Sequence, residues 1–84
     1  MRERDLIKLG FEKETDESDS ANPFYYYILD VASGLSFITQ ASDEVKNGEW
    51  IVEMFQVAEI KIKDFKALST LLEILNQNKD EETR

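Results

Sequence analysis

Between Asp64 and Gln77 the apolar residues Phe65, Leu68, Leu71, Leu72 and Leu75 recur at intervals of three and four, while Lys66, Thr70, Glu73 and Gln77 fall elsewhere around the turn. That period is helical and predicts one amphipathic helix over about 64–77. Asp64 suits its N-cap or first turn, where a carboxylate meets free N–H groups and the positive end of the helix dipole. Upstream the period is two. "FYYYILDV" and "LSFITQA" are rich in aromatic and β-branched residues and are separated by the turn residues "ASG", which predicts a hairpin. "EWIVEMF" and "VAEIKI" alternate in the same way after the turn pair Asn47-Gly48, and "FEKET" alternates weakly, as a short edge strand would. "RERDLIKLG" places Leu6, Ile7 and Leu9 on one side of a short helix over about 3–9, with Gly10 where a left-handed cap is usual.

The fold class is therefore α+β: an antiparallel β-meander of four to five strands, a short N-terminal helix, and a longer C-terminal helix packed on one sheet face. Residues 1–78 form a single domain, and the charged end 79–84 is expected to fray.

Adjacent strand residues point to opposite faces, so the run Tyr25, Tyr26, Tyr27 must be divided between them. A three-residue turn sets Val31 opposite Leu35 and gathers Tyr25, Tyr27, Leu29, Val31, Leu35, Phe37, Thr39 and Ala41 on one side. Setting Trp50 opposite Ala41 adds Trp50, Val52 and Met54 to that side; a slip by one residue would bury Glu49 and Glu53 instead. The C-terminal helix is expected to cover this face. On the other face stand Phe24, Tyr26, Ile28, Ile38, Ile51 and Phe55, interspersed with Asp30, Ser36, Gln40, Glu49 and Glu53. Two arrangements are open for it: helix 1 covers it through Leu6, Ile7 and Leu9, or it is left to meet a partner. An apolar, aromatic centre with a polar rim is how protein interfaces are built.

Charge sharpens that reading. The 84 residues carry 18 acids against 10 bases, a formal net charge of −8. Direct binding to nucleic-acid phosphates depends on Lys and Arg displacing counterions, so it is not expected; a basic protein partner is. The acidic loop "DESDSANP" extends the candidate surface with Asp16, Glu17 and Asp19, and lacks the glycine and distal glutamate of an EF-hand loop. The partner-binding candidates are thus Tyr26, Ile28, Asp30, Ile38, Glu49, Ile51, Glu53, Asp16, Glu17 and Asp19.

Histidine and cysteine are both absent, which removes the commonest general base, the thiolate nucleophile and most zinc ligands. No glycine-rich phosphate loop occurs among the three glycines. The expectation is a non-catalytic chain with no cofactor and no metal. No apolar run nears the roughly 20 residues of a membrane span, and the start "MRERDLIKLG" interrupts any signal-like stretch with charge. A cytoplasmic location follows as an expectation.

In length, acid excess, "FYYYILD", and the pairing of "SDEVKNGEW" with one closing helix, the chain resembles the small acidic proteins of bacteriophages and prophages, a loose group that includes anti-CRISPR proteins. "LIKLGFEK" and "SDEVKNGEW" also resemble stretches of proteins from phages of Bacteroidetes-type bacteria. The resemblance carries no site residue. It implies a phage-encoded inhibitor acting in the host cytoplasm, with a nucleic-acid-handling partner such as a CRISPR effector nuclease. A monomer is favoured. The alternative is a homo-oligomer joined through Tyr26, Ile28, Ile38 and Ile51, which the neighbouring acids Asp30, Glu49 and Glu53 oppose by like-charge repulsion.

Overall fold

A computed structural model describes residues 1–18 and 21–77. Asp19 and the tail 79–84 therefore lie outside the described residues. Helix α1 (Glu3–Lys8) leads into a five-stranded antiparallel sheet, β1 (Glu12–Asp16), β2 (Phe24–Ala32), β3 (Leu35–Thr39), β4 (Val52–Met54) and β5 (Val57–Ile62), closed by helix α2 (Phe65–Gln77). The strands lie in sequence order, a simple meander with β1 and β5 at its edges. The α+β architecture is the one the hydrophobic pattern predicts. No helix among the described residues is long and apolar enough to cross a membrane.

Both helices are set by local chemistry. Asp64 caps α2, its Oδ2 accepting the Ala67 N–H at 2.8 Å and its backbone carbonyl accepting the Leu68 N–H at 3.1 Å. Gly10, at φ 99°, ends α1 in a Schellman turn. Here the Phe11 N–H reaches the Leu6 carbonyl and the Gly10 N–H the Ile7 carbonyl, each at 3.0 Å. That turn throws Phe11 back onto Leu6, and both are buried.

The core lies on one side of the sheet only. Leu6, Phe11, Tyr27, Phe37, Trp50, Val52, Leu68 and Met1 form it, with Leu29, Val31, Met54, Ile62, Phe65, Leu71, Leu72 and Leu75 packed around. Full burial of a side chain such as Leu6 or Leu68 contributes about 2–3 kcal/mol. Helix α1 shares this face with α2: Lys8 Nζ stands 6.0 Å from the Phe65 ring centroid. Covering the opposite face with α1 is thus ruled out. The reason is the Schellman turn, which folds the chain so that Leu6 and Phe11 point the same way. Ile7, expected on the apolar side of α1, is instead 59% exposed.

The expected strand registers hold in the sheet interior. Ile28 faces Ile38 and Leu29 faces Phe37 across β2 and β3; Phe37 faces Met54 and Thr39 faces Val52 across β3 and β4. The β2–β3 turn differs from the expected three-residue loop. Ala32, not Val31, faces Leu35, and the register shift between Asp30 and Ala32 absorbs Val31. A tight turn through Ser33 and Gly34 (φ 82°) then closes the hairpin, while Val31 keeps its contact with the core. The predicted "EWIVEMF" strand also contracts to Val52–Met54. Asn47 and Gly48, at φ 58° and 72°, close a separate Lys46–Glu49 turn. The Trp50 N–H goes to the Met1 carbonyl (2.7 Å) and the Ile51 N–H to Gln40 Oε1 (2.8 Å), so neither enters a strand ladder.

Candidate functional site

The three tyrosines divide as strand geometry requires. Tyr25 and Tyr27 turn inward and form an aromatic cluster with Trp50: Tyr27 meets Trp50 edge-on at 5.4 Å and Tyr25 at 6.1 Å, and Tyr25 lies 5.8 Å from Trp50. The Tyr27 hydroxyl donates to Glu3 Oε2 at 2.6 Å. Burial first, then the neighbouring Glu3 carboxylate, holds the Tyr27 phenol well above its usual range, and Tyr25 is raised by the same causes. Lys13 lies over the Tyr25 ring at 4.1 Å and covers the cluster from outside.

The first half of β2 extends past the end of β3, so its N–H groups need other acceptors. Thr39 Oγ1 accepts from Tyr27 N–H (3.0 Å) and Ser42 Oγ from Tyr25 N–H (3.1 Å). These two bonds fix the strand on which Tyr26 is displayed.

Tyr26 turns outward and is half-buried. Directly opposite residues of paired strands share a face. One row, Glu12, Ile28, Ile38, Glu53 and Lys61, therefore crosses all five strands on the outer side. Beside it Glu14 faces Tyr26 and Asp16 faces Phe24; on the other flank Asp30 faces Ser36, which donates a hydroxyl bond to it at 2.6 Å. Glu53 is bonded to Lys61 Nζ at 2.8 Å. Ile51, two residues before Glu53, falls on the same side by alternation and is half-buried. The result is an apolar strip of Phe24, Tyr26, Ile28, Ile38 and Ile51, with carboxylates on the β1 side, on the β4 side and at the hairpin end.

Of the candidates read from the sequence, Tyr26, Ile28, Asp30, Ile38, Ile51, Glu53 and Asp16 are brought together here. Ser18, through its hydroxyl and then its backbone N–H, holds the Asp16 carboxyl below the usual carboxylate range. Glu17 is exposed just beyond β1. Glu49 is engaged elsewhere: its carboxylate binds the Met1 amino group at 3.2 Å and Arg2 at 3.4 Å. Glu12 and Glu14 were not among the candidates. Their spacing of two with Asp16 was the available signal, and only the pairing of β1 with β2 sets them against Ile28 and Tyr26.

These carboxylates form a row, not a cluster. Among the described residues no three acids converge as a metal site would require. The hollow lined by Gly10, Glu12, Ile28, Leu29 and Asp30 measures about 120 Å³, below the roughly 300 Å³ at which ligand pockets begin, and the larger hollows, about 560 Å³ along Asp30, Ser33, Gly34 and Ser36 and about 460 Å³ beside Arg2 and Trp50, are shallow and open to solvent. The geometry suits contact with a broad surface better than enclosure of a small molecule. No family model, curated protein or solved structure matches this chain.

Proposed function

We propose that the chain is a non-catalytic binding module whose outer sheet face docks on a basic, nucleic-acid-binding surface of a partner protein. One observation carries this reading. Both helices pack on the inner face, so the strip of Phe24, Tyr26, Ile28, Ile38 and Ile51 stands without a covering element among the described residues, rimmed by Glu12, Glu14, Asp16, Asp30 and Glu53. The acids steer a cationic surface into place and the apolar strip slows its release. The resemblance to phage inhibitors favours the guide-RNA channel of an RNA-guided nuclease as the partner surface, and a phage-encoded inhibitor as the role.

The test uses a panel of such nucleases stripped of guide RNA and immobilised for binding kinetics. Raising salt is expected to slow association far more than it speeds dissociation, guide RNA is expected to compete, and Tyr26→Ala is expected to speed dissociation. Binding to none of the panel, a salt-insensitive on-rate, or simultaneous binding of the chain and guide RNA would each refute the reading.

A further inference from the structure

Strand β1 is the regular edge of the sheet. Its five residues pair one to one with β2, whereas the pairing of β5 on β4 shifts register between Glu53 and Met54. The direction of the β1 backbone follows from its neighbour. Tyr25 and Tyr27 send their N–H groups away from β1, to Ser42 Oγ and Thr39 Oγ1. Bonding positions alternate along an antiparallel pair, so Tyr26 and Ile28 are the residues that bond back to β1, at Glu14 and Glu12. Lys13 and Thr15 therefore turn their N–H and C=O groups outward. Both residues are exposed, and no backbone hydrogen bond from another element reaches them among the described residues. The side chains decide what can fill this open row. Glu12, Glu14 and Asp16 alternate on the outer side, and none of them is in an ion pair among the described residues. A second copy of β1 paired about Glu14 would set Glu14 against Glu14 and Glu12 against Asp16, so like charges oppose self-pairing.

We infer that β1 accepts an extended basic segment of a partner protein as a further antiparallel strand, with Lys or Arg at every second position opposite Glu12, Glu14 and Asp16. In that ladder Lys13 and Thr15 each exchange two backbone bonds with the added strand. The three acids then fall at the positions without hydrogen bonds, where facing side chains stand closest. The intervening residues of the segment lie on the inner side, opposite Thr15 and opposite Lys13, whose ammonium stands over the Tyr25 ring. A cation opposite Lys13 is repelled, so the edge reads a spacing of two and not positive charge alone. The inference deepens the docking reading and rests on its premise that the partner surface is basic; it adds the backbone conformation and the charge spacing of the segment that is held.

The probe is the end-capped peptide Thr-Lys-Thr-Lys-Thr-Lys-Thr, titrated into the full chain and followed by nuclear magnetic resonance. So short a strand is expected to bind with a Kd of about 0.1–1 mM. Exchange of the Lys13 and Thr15 amides is expected to slow as peptide binds, ahead of those of Glu12 and Glu14, which already bond β2. The isomer Thr-Thr-Lys-Lys-Lys-Thr-Thr carries the same charge but can set at most two lysines on one side, and is expected to bind at least about threefold more weakly. N-methylation of the third and fifth residues of the probe keeps every charge, removes both central N–H donors and is expected to abolish binding. Glu14→Lys is expected to weaken binding at least about threefold, and a probe with Glu as its central residue to regain it. No binding, equal binding of the two isomers, binding of the N-methylated probe, or unchanged exchange at Lys13 and Thr15 would each overturn the inference and leave the docking reading to the nuclease panel. A panel nuclease that binds without slowing exchange at Lys13 and Thr15 would likewise overturn the inference alone. Failure of the whole panel, with the probe bound and those amides slowed, would remove the nuclease and keep the edge.

Discussion

Tyr27 offers the sharpest test of how the sheet is oriented, because its ring and its hydroxyl contribute separately. The ring is 2% exposed and packs edge-on against Trp50 and Tyr25. The hydroxyl gives its proton to Glu3 at 2.6 Å. Tyr27→Phe keeps the ring and removes a hydrogen bond to a charged acceptor, a loss of about 1.5 kcal/mol once the half-buried Glu3 regains some water. Tyr27→Ala also empties the centre of the aromatic cluster and should cost about 3–5 kcal/mol. At roughly 0.05–0.15 kcal/mol per residue an 84-residue chain has only about 4–13 kcal/mol in all. Tyr26→Ala, on the outer face, should cost about 1 kcal/mol or less. Urea titration, followed by far-ultraviolet circular dichroism and by fluorescence of the single tryptophan, Trp50, reads all three. With a slope near 1 kcal/mol/M for so small a domain, Tyr27→Phe should lower the midpoint by about 1.5 M. Tyr27→Ala should leave little folded protein, and Tyr26→Ala should shift the midpoint by less than about 1 M. A Tyr26→Ala variant less stable than Tyr27→Ala would mean that the sheet is turned over. A Tyr27→Phe midpoint equal to that of the parent would refute the hydrogen bond to Glu3.

The phenols also set an alkaline limit. Because the folded state holds the Tyr25 and Tyr27 protons more tightly than the unfolded chain, stability is fully present below about pH 10 and falls as pH rises beyond it. Phenolate absorbance should therefore develop later in folded than in urea-unfolded protein, and coincident curves would refute this. Gly48→Ala should cost about 1–2 kcal/mol, since its φ is 72° and the added methyl runs into the Arg2 guanidinium. Gly34→Ala, at φ 82° with open space around it, should cost less, and equal thermal shifts would contradict that ranking. Asp64→Ala removes the α2 cap and should lower stability by about 1 kcal/mol in the same urea assay, with Asp64→Asn retaining most of it. Binding to a basic partner should weaken on Asp30→Lys more than on Glu49→Lys, because the Glu49 carboxylate is already held by Met1 and Arg2 while Asp30, among the described residues, meets only the Ser36 hydroxyl.

The sequence by itself determined which residues of the β2–β3 hairpin and of α2 face inward. Period two in "FYYYILDV" and "LSFIT" and period 3.6 from Phe65 are local properties, and burying Glu53 was costly enough to fix the β3–β4 register in advance. Asp64 and Gly10 were legible as caps for the same local reason. Which side of the sheet α1 joins was not local. It depends on a six-residue helix whose apolar side is ambiguous until the turn at Gly10 sets Phe11 on Leu6 and leaves Ile7 outside. The placement of Glu12 and Glu14 beside Ile28 and Tyr26 needed the pairing of β1 with β2 across the acidic loop, a contact between segments separated in the chain. The diversion of Glu49 needed Met1 and Arg2, more than forty residues away, to arrive at its carboxylate. Local periodicity divides a chain into inside and outside, but only the closing of long loops decides which outside surfaces come to lie together.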